Sequence, residues 1–190
     1  MLIPVKRLDD AKRRLAPVLG PAERRSLMQS MIEHVAAVAL EAEVGRVVLA
    51  SSDPVVAELA GRLGVGVVSD GGLPWNQGLE LARRELRPQP SAVLYLAGDL
   101  PLLTAAEVRR LADEAQAGTA VVGRAGDAGT NALAVSPAAA LAPRFGEARS
   151  SKVHARAAER AGLRVVMLDL PGVALDIDTP DDLARAGLAD

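Results

Sequence analysis

The run Ala92-Val93-Leu94-Tyr95-Leu96-Ala97 is apolar throughout and leads directly into Gly98-Asp99-Leu100-Pro101. A short apolar run that ends in turn-forming residues is typical of a buried strand in the middle of a sheet. Asp99 emerges where an unpaired carboxylate would be costly, and Gly98 lets another group approach the backbone closely. The stretch therefore predicts a central strand that ends either in a metal-binding aspartate or in one that brackets the turn before the next helix.

Strand and helix patterns alternate along the chain on both sides of this central run. Further strands are predicted at Leu2–Lys6, Arg46–Ala50, Val65–Val68, Ala120–Gly123, Asn131–Val135, Arg164–Asp169 and Val173–Asp176. Helices are predicted after Gly20, from Pro54 to Leu63, over Asn76–Leu86, after the capping pair Thr104 and Glu107, from about Ser151 to Arg160, and after Thr179. This order predicts a single α/β domain over residues 1–190, with a mainly parallel sheet and an antiparallel portion. Ligands of such folds bind beyond the carboxyl ends of the strands.

The composition narrows the class of protein. Apolar residues make up 49% of the 190 residues, which predicts a packed globular protein, and the net charge of −2 gives no general attraction to nucleic acid or to a membrane. The chain has one Phe, one Trp and one Tyr, which argues against stacking on single-stranded nucleic acid, and it has no cysteine for disulfides or thiolate chemistry. Because no apolar run is long enough to span a membrane and the N-terminus has no signal-peptide pattern, we expect a soluble cytoplasmic protein.

A basic segment follows the first predicted strand. Residues 6–14 carry five cations, which are Lys6, Arg7, Lys12, Arg13 and Arg14. Several positive donors in a row can follow the oxygens of a triphosphate, although a solvated basic loop has the same appearance. The segment has no glycine cluster before its lysine, so it is not a Walker-type phosphate loop.

Two further aspartates lie near the C-terminus in Leu175-Asp176-Ile177-Asp178-Thr179-Pro180. Alternation along the predicted strand places Asp176 and Asp178 on the same side, so one can hold a metal while the other supports the turn. Magnesium bound to phosphates commonly takes one or two protein carboxylates, which Asp99 and this segment could supply. Asp181 and Asp182 fall in the first turn of the last helix, where they complement its dipole and need no catalytic role.

A second group of small and polar residues suggests an anion site. Ala128-Gly129-Thr130-Asn131 and the downstream stretch 144–151 can expose backbone N–H groups, and a helix that begins near Ser150 adds the positive end of its dipole. Asn76 could read the edge of a nucleobase, and Ser51 lies at a strand end where it could contact a nucleotide. His34 and His154 are interpreted as structural or surface residues.

Taken together, these motifs resemble the CofC-type guanylyltransferases, which act on 2-phospho-L-lactate or phosphoenolpyruvate in the biosynthesis of the deazaflavin coenzyme F-420. The resemblance covers nearly the whole chain and is carried by Ile3-Pro4-Val5-Lys6 with residues 11–17, by Gly98-Asp99-Leu100-Pro101, Gly129-Thr130-Asn131, Pro143-Arg144-Phe145-Gly146 and Asp176-Ile177-Asp178-Thr179-Pro180. It implies the Rossmann-like, three-layer nucleotidyltransferase fold of the superfamily that includes the MobA proteins.

The resemblance also implies a reaction and a set of site residues. GMP would pass from GTP to a small phosphorylated carboxylic acid, with release of pyrophosphate and with Mg²⁺ as cofactor. Lys12, Asp99 and Asp176 would be catalytic, and the metal would be held by Asp99 and Asp176 with Asp178 nearby. The nucleotide would contact Pro4, Val5, Lys6, Lys12, Arg14, Ser51, Asn76 and Gly98. The acceptor would contact Thr130, Asn131, Gly146, Arg149, Ser150 and Ser151.

One departure from the family pattern affects the acceptor loop. The family usually has two residues between Phe-Gly and the following Ser, whereas this chain has Glu147, Ala148 and Arg149. Either Ser150 or Ser151 could therefore take the serine's role, and Arg149 becomes a plausible partner for the acceptor's carboxylate or phosphate.

The alternatives are a nucleotidyltransferase for another acceptor (for example of the molybdenum-cofactor type), a nucleotide-sugar glycosyltransferase, and a non-catalytic nucleotide-binding module. The acceptor itself stays open among phosphoenolpyruvate, 2-phospho-L-lactate and 3-phosphoglycerate. The oligomeric state stays open too, with a homodimer as one alternative.

Overall fold

The computed structural model describes residues 1–188, and its strands form one seven-stranded sheet. The strands are β1 (Leu2–Pro4), β2 (Val48–Ala50), β3 (Gly66–Val68), β4 (Val93–Leu96), β5 (Thr119–Arg124), β6 (Thr130–Ser136) and β7 (Arg164–Leu168). The helices are α1 (Pro21–Glu41), α2 (Pro54–Leu63), α3 (Trp75–Glu85), α4 (Ala105–Glu114), α5 (Ser150–Arg160), α6 (Pro171–Ala174) and α7 (Pro180–Arg185). Two short 3₁₀ turns, Leu8–Asp10 and Arg13–Leu15, interrupt the basic segment that was predicted as a loop.

The sheet order is β3-β2-β1-β4-β6-β5-β7. Strands β3, β2, β1 and β4 run parallel, and β5 is parallel to β7. Strand β6 runs antiparallel to both of its neighbours, β4 and β5. The predicted mainly parallel sheet with an antiparallel portion is confirmed, and the reversed strand lies inside the sheet. Because of this reversal, the beginning of β6 lies beside the end of β4.

The sheet is covered by helices on both faces. Alternation along the strands sends Ile3 and Leu96 into a core shared with α1, α2 and α4, whereas Leu2 and Tyr95 face α3 and α5. All four of these side chains are completely buried. Removal of this much apolar surface from water is the main stabilising term of the fold, at about 2 kcal/mol for each large side chain. The predicted three-layer arrangement is confirmed.

The helix starts also agree with the sequence signals. Thr104 and Glu107 cap α4 reciprocally, with the Glu107 N–H donating to Thr104 Oγ1 at 3.3 Å and the Thr104 N–H donating to Glu107 Oε2 at 3.0 Å. Asp182 accepts the N–H groups of Asp178 and Thr179 at the start of α7. These contacts lower the pKa of Asp182 to about 2 against the opposing effect of burial, so this carboxylate has a structural task.

The strand predicted at Val173–Asp176 is wrong. This stretch begins with the short helix α6, in which the N–H groups of Val173 and Ala174 donate to the carbonyl of Leu170 at 3.0 and 2.8 Å. Pro171 occupies the first position of α6, where its fixed φ and missing N–H favour a helical turn. The apolar residues that suggested a strand bury one side of this turn instead. The argument from strand alternation for Asp176 and Asp178 therefore fails, and their placement needs another explanation.

Within residues 1–188, helices long and apolar enough to cross a membrane are absent.

Candidate active site

A cavity of about 600 Å³ opens where β1 and β4 end and β6 begins. Its walls are formed by Pro4, Lys6, Ala11, Lys12, Arg13, Arg14, Met28, Trp75, Ala97, Gly98, Asp99, Thr130, Asn131, Phe145, Gly146, Glu147, Asp176 and Asp178. A second cavity of about 470 Å³ shares the residues around Thr130 and Asp176 and continues to Arg149 and Ser150. Most of the predicted site residues line one or both of these cavities, at one edge of the sheet.

The first cavity contains a cluster of carboxylates. Asp99, Asp176 and Asp178 each offer an oxygen atom, and these atoms lie within 4.8 Å of one another. All three residues are partly buried. Three such charges repel each other strongly when they are close, so they need compensation by a cation.

Lys12 supplies this compensation. Its ammonium donates to the Asp99 carboxylate and, at 3.0 Å, to Asp178 Oδ1, and its side chain is only 7% exposed. Burial opposes the charged form, but the neighbouring Asp99 and Asp178 charges outweigh it and raise the pKa of Lys12. The Lys12 backbone is in the left-handed region, with φ 53° and ψ 41°, a conformation that non-glycine residues adopt rarely. Arg14 approaches the same aspartate from the exposed side, 3.8 Å from Asp178 Oδ2.

Asp176 is held by Asn131 from the start of β6. The Asn131 amide donates to Asp176 Oδ1 at 3.0 Å and to the carbonyl of Val173 at 2.9 Å. Burial raises the pKa of Asp176, and the charge of Asp99 adds to this rise against the hydrogen bond from Asn131. Asn131 was predicted to bind the acceptor, but in this structure its amide orients a carboxylate of the cluster.

The loop around α6 explains how Asp176 and Asp178 reach Asp99. The Ile177 N–H donates to the main-chain oxygen of Asp99 at 3.3 Å, which joins the two aspartate segments directly. Upstream, the Gly172 N–H donates to Glu107 Oε1 at 2.7 Å. A side chain at Gly172 would collide with that carboxylate and with the Leu102 carbonyl, so only glycine allows this close approach. Backbone docking of α6, rather than strand alternation, therefore assembles the cluster.

The second cavity lies at the start of α5. Gly146 and Arg149 both have positive φ, at 78° and 54°, and they turn the chain sharply before the helix begins at Ser150. Arg149 lines this cavity, as does Ser150, whose hydroxyl donates to Thr130 Oγ1 at 3.1 Å. The Ser151 hydroxyl donates instead to the carbonyl of Ala128 at 2.7 Å. Of the two serines left open by the sequence, Ser150 is the one that faces the cavity.

The strap, defined here as residues 144–149, closes one side of both cavities. Phe145 is clamped by Asn76, whose Oδ1 accepts the Phe145 N–H at 2.9 Å and whose Nδ2 donates to the Phe145 carbonyl at 3.1 Å. Three residues predicted to contact the nucleotide are not among the described residues that line the larger cavity: Val5, Ser51 and Asn76. The amide of Asn76, which was predicted to read the base, holds the strap in this structure, and its contact with a nucleobase stays a prediction. Ser51 Oγ accepts the Asp53 N–H at 3.1 Å and Val5 is 1% exposed, and the predicted nucleotide contacts of these two residues stay predictions.

Two functional features were missed by the sequence reasoning. The Lys6 ammonium lies over the ring of Trp75, 4.7 Å from its centroid, and this contact holds the cation at the cavity rim. His154 was interpreted as a structural or surface residue; it is fully buried, which agrees with the structural interpretation, but its contact with Thr130 was not predicted. The sequence did indicate that His154 lies near Ser150, because the two residues are four positions apart and share one helix face.

The fold is shared with solved nucleotidyltransferases. A solved nucleotidyl transferase from Methanothermobacter thermautotrophicus has the same fold, with a TM-score of 0.69, 22% identity, and an alignment that covers 97% of this chain and 95% of that one. The fold places clustered carboxylates and facing cations in one cavity, an arrangement suited to a nucleoside triphosphate. That the protein is itself a nucleotidyltransferase is shown by the match of a guanylyl transferase family model to residues 1–188.

The family follows from the sequence relatives. The model of the family described as "Guanylyl transferase CofC like" matches residues 1–188. The chain is 41% identical over 185 residues to the phosphoenolpyruvate guanylyltransferase of Sphaerobacter thermophilus, covering 96% of this chain and 89% of that protein. It is 36% identical over 185 residues to the 2-phospho-L-lactate guanylyltransferase of Methanothermobacter thermautotrophicus, covering 97% and 82%. The chain belongs to the CofC-like guanylyl transferase family, as its motifs suggested.

Proposed function

We propose that this enzyme transfers GMP from GTP to a small phosphorylated acid, with release of pyrophosphate, in the biosynthesis of coenzyme F-420. The observation that carries the proposal is the cluster of Asp99, Asp176 and Asp178 around Lys12, together with the start of α5, which lines the second cavity with Asp176 and Asp178. The cluster and its basic rim suit a metal-bound triphosphate, and the start of α5 suits a second anion.

The residues present fit Mg²⁺, because three close carboxylates offer the oxygen ligands that this hard cation prefers. Asp99 and Asp176 would hold it, with Asp178 beside them. When bound, Mg²⁺ would neutralise negative charge on the phosphate oxygens.

The chain's own cations would stabilise the rest of the triphosphate. Lys12 already lies among the carboxylates, so a change of partner from aspartate to phosphate would bring its charge onto the nucleotide. Lys6, held over Trp75, and Arg14, which is largely exposed, can follow the outer phosphates from the cavity rim. These side chains would stabilise the negative charge that develops on the departing pyrophosphate.

The acceptor would bind in the second cavity, between Thr130, Ser150 and the exposed Arg149. An oxygen of its phosphate forms a bond to the α-phosphorus of GTP, while the bond from that phosphorus to the bridging oxygen of pyrophosphate breaks. The attacking oxygen is already anionic at neutral pH, so no strong general base is needed, and catalysis comes from alignment and charge neutralisation. Phosphoenolpyruvate is proposed as the first acceptor to test, because the relative at 41% identity is named for it.

The test is a matrix of pyrophosphate release. Each of GTP, ATP, CTP and UTP is combined with phosphoenolpyruvate, 2-phospho-L-lactate and 3-phosphoglycerate in the presence of Mg²⁺. We expect GTP with phosphoenolpyruvate to give the highest kcat/KM. Release of a nucleoside diphosphate from a nucleotide sugar would support a glycosyltransferase instead, and GTP binding without pyrophosphate from any acid would support a binding module.

A further inference from the structure

The hydroxyl of Thr130 takes part in two hydrogen bonds inside the protein. Thr130 is the first residue of β6, is 7% exposed and lines both cavities. Its Oγ1 lies 3.0 Å from His154 Nδ1 and accepts the Ser150 hydroxyl at 3.1 Å. The direction of the bond to His154 decides what the hydroxyl can offer a ligand.

The main chain settles that direction. His154 Nε2 lies 2.8 Å from the Arg144 nitrogen, whose N–H can only donate. Nε2 therefore carries no hydrogen, and a neutral imidazole then has its hydrogen on Nδ1 and donates it to Thr130. Burial lowers the pKa of His154 to about 4, so the ring is neutral at physiological pH.

A threonine oxygen can accept two hydrogen bonds, and both places on Thr130 are taken. Its own hydrogen must then point away from His154 and Ser150, and Thr130 lines the cavity. With no lone pair free, this hydroxyl can donate to a ligand but cannot accept from one. Such a group selects an anion over a ligand that carries N–H or O–H donors.

We propose that His154 is a positioning residue of the acceptor subsite, which fixes the Thr130 hydroxyl as a dedicated hydrogen-bond donor to the anionic phosphate or carboxylate of the phosphorylated acid. This inference rests on the proposed function, because it takes the second cavity to be the acceptor's place. His154 also holds the strap, because its Nε2 accepts the Arg144 N–H, while Asn76 holds Phe145 independently, so the test must separate the two hydrogen bonds of the ring.

Two substitutions separate the two hydrogen bonds of the ring. In His154→Gln the amide oxygen can take the place of Nε2 and accept the Arg144 N–H, but there is no donor to Thr130. In His154→Asn the amide nitrogen lies near the place of Nδ1 and can still donate to Thr130, but the contact with Arg144 is lost. We expect His154→Gln to raise the KM for phosphoenolpyruvate about tenfold and leave the KM for GTP unchanged, whereas His154→Asn stays within about threefold of wild type.

A double-mutant cycle shows whether His154 acts through Thr130. Thr130→Val removes the hydroxyl with little change of shape, and we expect it to raise the acceptor KM at least as much as His154→Gln. Addition of His154→Gln to Thr130→Val should then cause no further rise. Additive effects of the two substitutions, or equal rises in the KM values of GTP and acceptor, would overturn the inference. The proposed function would still stand in that case, provided that the wild-type enzyme releases pyrophosphate. No pyrophosphate from wild type with any acid would overturn both.

One measurement needs no variant that disturbs the core. The nitrogen chemical shifts of ¹⁵N-labelled histidine report the tautomer, and the chain has two histidines, so His34→Gln assigns the signals. We expect His154 to carry its hydrogen on Nδ1 at neutral pH. A hydrogen on Nε2 would overturn the inference even if the His154 variants fail to fold.

Discussion

The two halves of the site are built by different forces. The acidic half, which consists of Lys12, Asp99, Asp176 and Asp178, joins charges that are far apart in sequence, with Lys12 bonded to partners 87 and 166 residues away. The hydroxyl half, which consists of Thr130, Ser150 and His154, is neutral and buried, and all three side chains lie within 24 residues of Thr130. Attraction between charges tolerates a range of angles, whereas a hydrogen bond weakens steeply when its geometry is poor.

This difference predicts how each half fails. Loss of a charge in the acidic half leaves its neighbours uncompensated and removes groups that would neutralise phosphate charge, so turnover should collapse. Loss of a contact in the hydroxyl half changes the direction of one donor, so only the affinity for the acceptor should fall. The predictions below test the comparison from the largest expected effect to the smallest.

The largest effect is expected for Asp99→Asn. The substitution keeps the size of the side chain but removes one negative charge from the proposed metal site, so pyrophosphate release should fall about 100-fold or more. The exposed Asp181 in α7 provides a matched control, because Asp181→Asn removes the same charge outside the cavity. Circular dichroism should show both variants folded. A near-wild-type rate in Asp99→Asn would contradict the metal assignment.

A smaller effect on turnover is expected for Lys12→Met, with an opposite effect on metal binding. Loss of a charge-assisted donor to phosphate should slow pyrophosphate release about 10-fold to 100-fold. Without nucleotide, however, Mn²⁺ should bind more tightly than to wild type, because the ammonium no longer competes for Asp99 and Asp178. Calorimetric titration with Mn²⁺ measures this affinity directly.

Arg14→Met is the control for the metal titration, since Arg14 approaches Asp178 from solvent and is 76% exposed. Its Mn²⁺ affinity should differ little from that of wild type. Weaker Mn²⁺ binding by Lys12→Met would mean that the lysine supports the carboxylate cluster rather than occupying its centre.

The acidic half was largely predictable from the sequence, and the reason is physical. Asp99 stands out at the end of an apolar strand, and the cations of residues 6–14 stand out against a nearly neutral chain. Asp176 was found as well, although the strand on which the argument relied does not exist. Its position depends on Pro171 and on the close approach at Gly172, and neither contact is encoded in a periodic pattern.

The hydroxyl half was predictable only in part. An anion site at Thr130 and Ser150 was predicted from their residue types, but the contacts of Asn76, Asn131 and His154 were not. Each of these depends on which backbone or side-chain group lies within 3.1 Å of an amide or imidazole, a property of the folded chain alone. Sequence patterns identify where charge accumulates more readily than where a hydrogen bond points.

The smallest expected effect is a pH-dependent loss of stability caused by His154. Burial lowers its folded pKa from 6.5 to about 4; the hydrogen bond to the Ser150 backbone and the Glu147 charge oppose this shift, and the Arg144 charge acts in the same direction as burial. The unfolded chain therefore binds more protons between these two values, and stability falls as the pH decreases through this window. At one pH unit below 6.5, the free energy of unfolding is lower by about 1 kcal/mol, which corresponds to a fall of about 2–4 °C in Tm for a protein of this size.

Thermal unfolding of wild type and His154→Gln at pH 7.5 and pH 5.5 isolates this contribution. Carboxylates titrate in both proteins, so the difference between the two shifts belongs to the imidazole. We expect wild type to lose about 2–4 °C more than the variant over this interval. Equal losses would mean that the folded ring takes up a proton as readily as the unfolded one. That proton would bind to Nε2, which could then no longer accept the Arg144 N–H. The assignment of Nδ1 as the donor to Thr130 depends on that hydrogen bond and would fail.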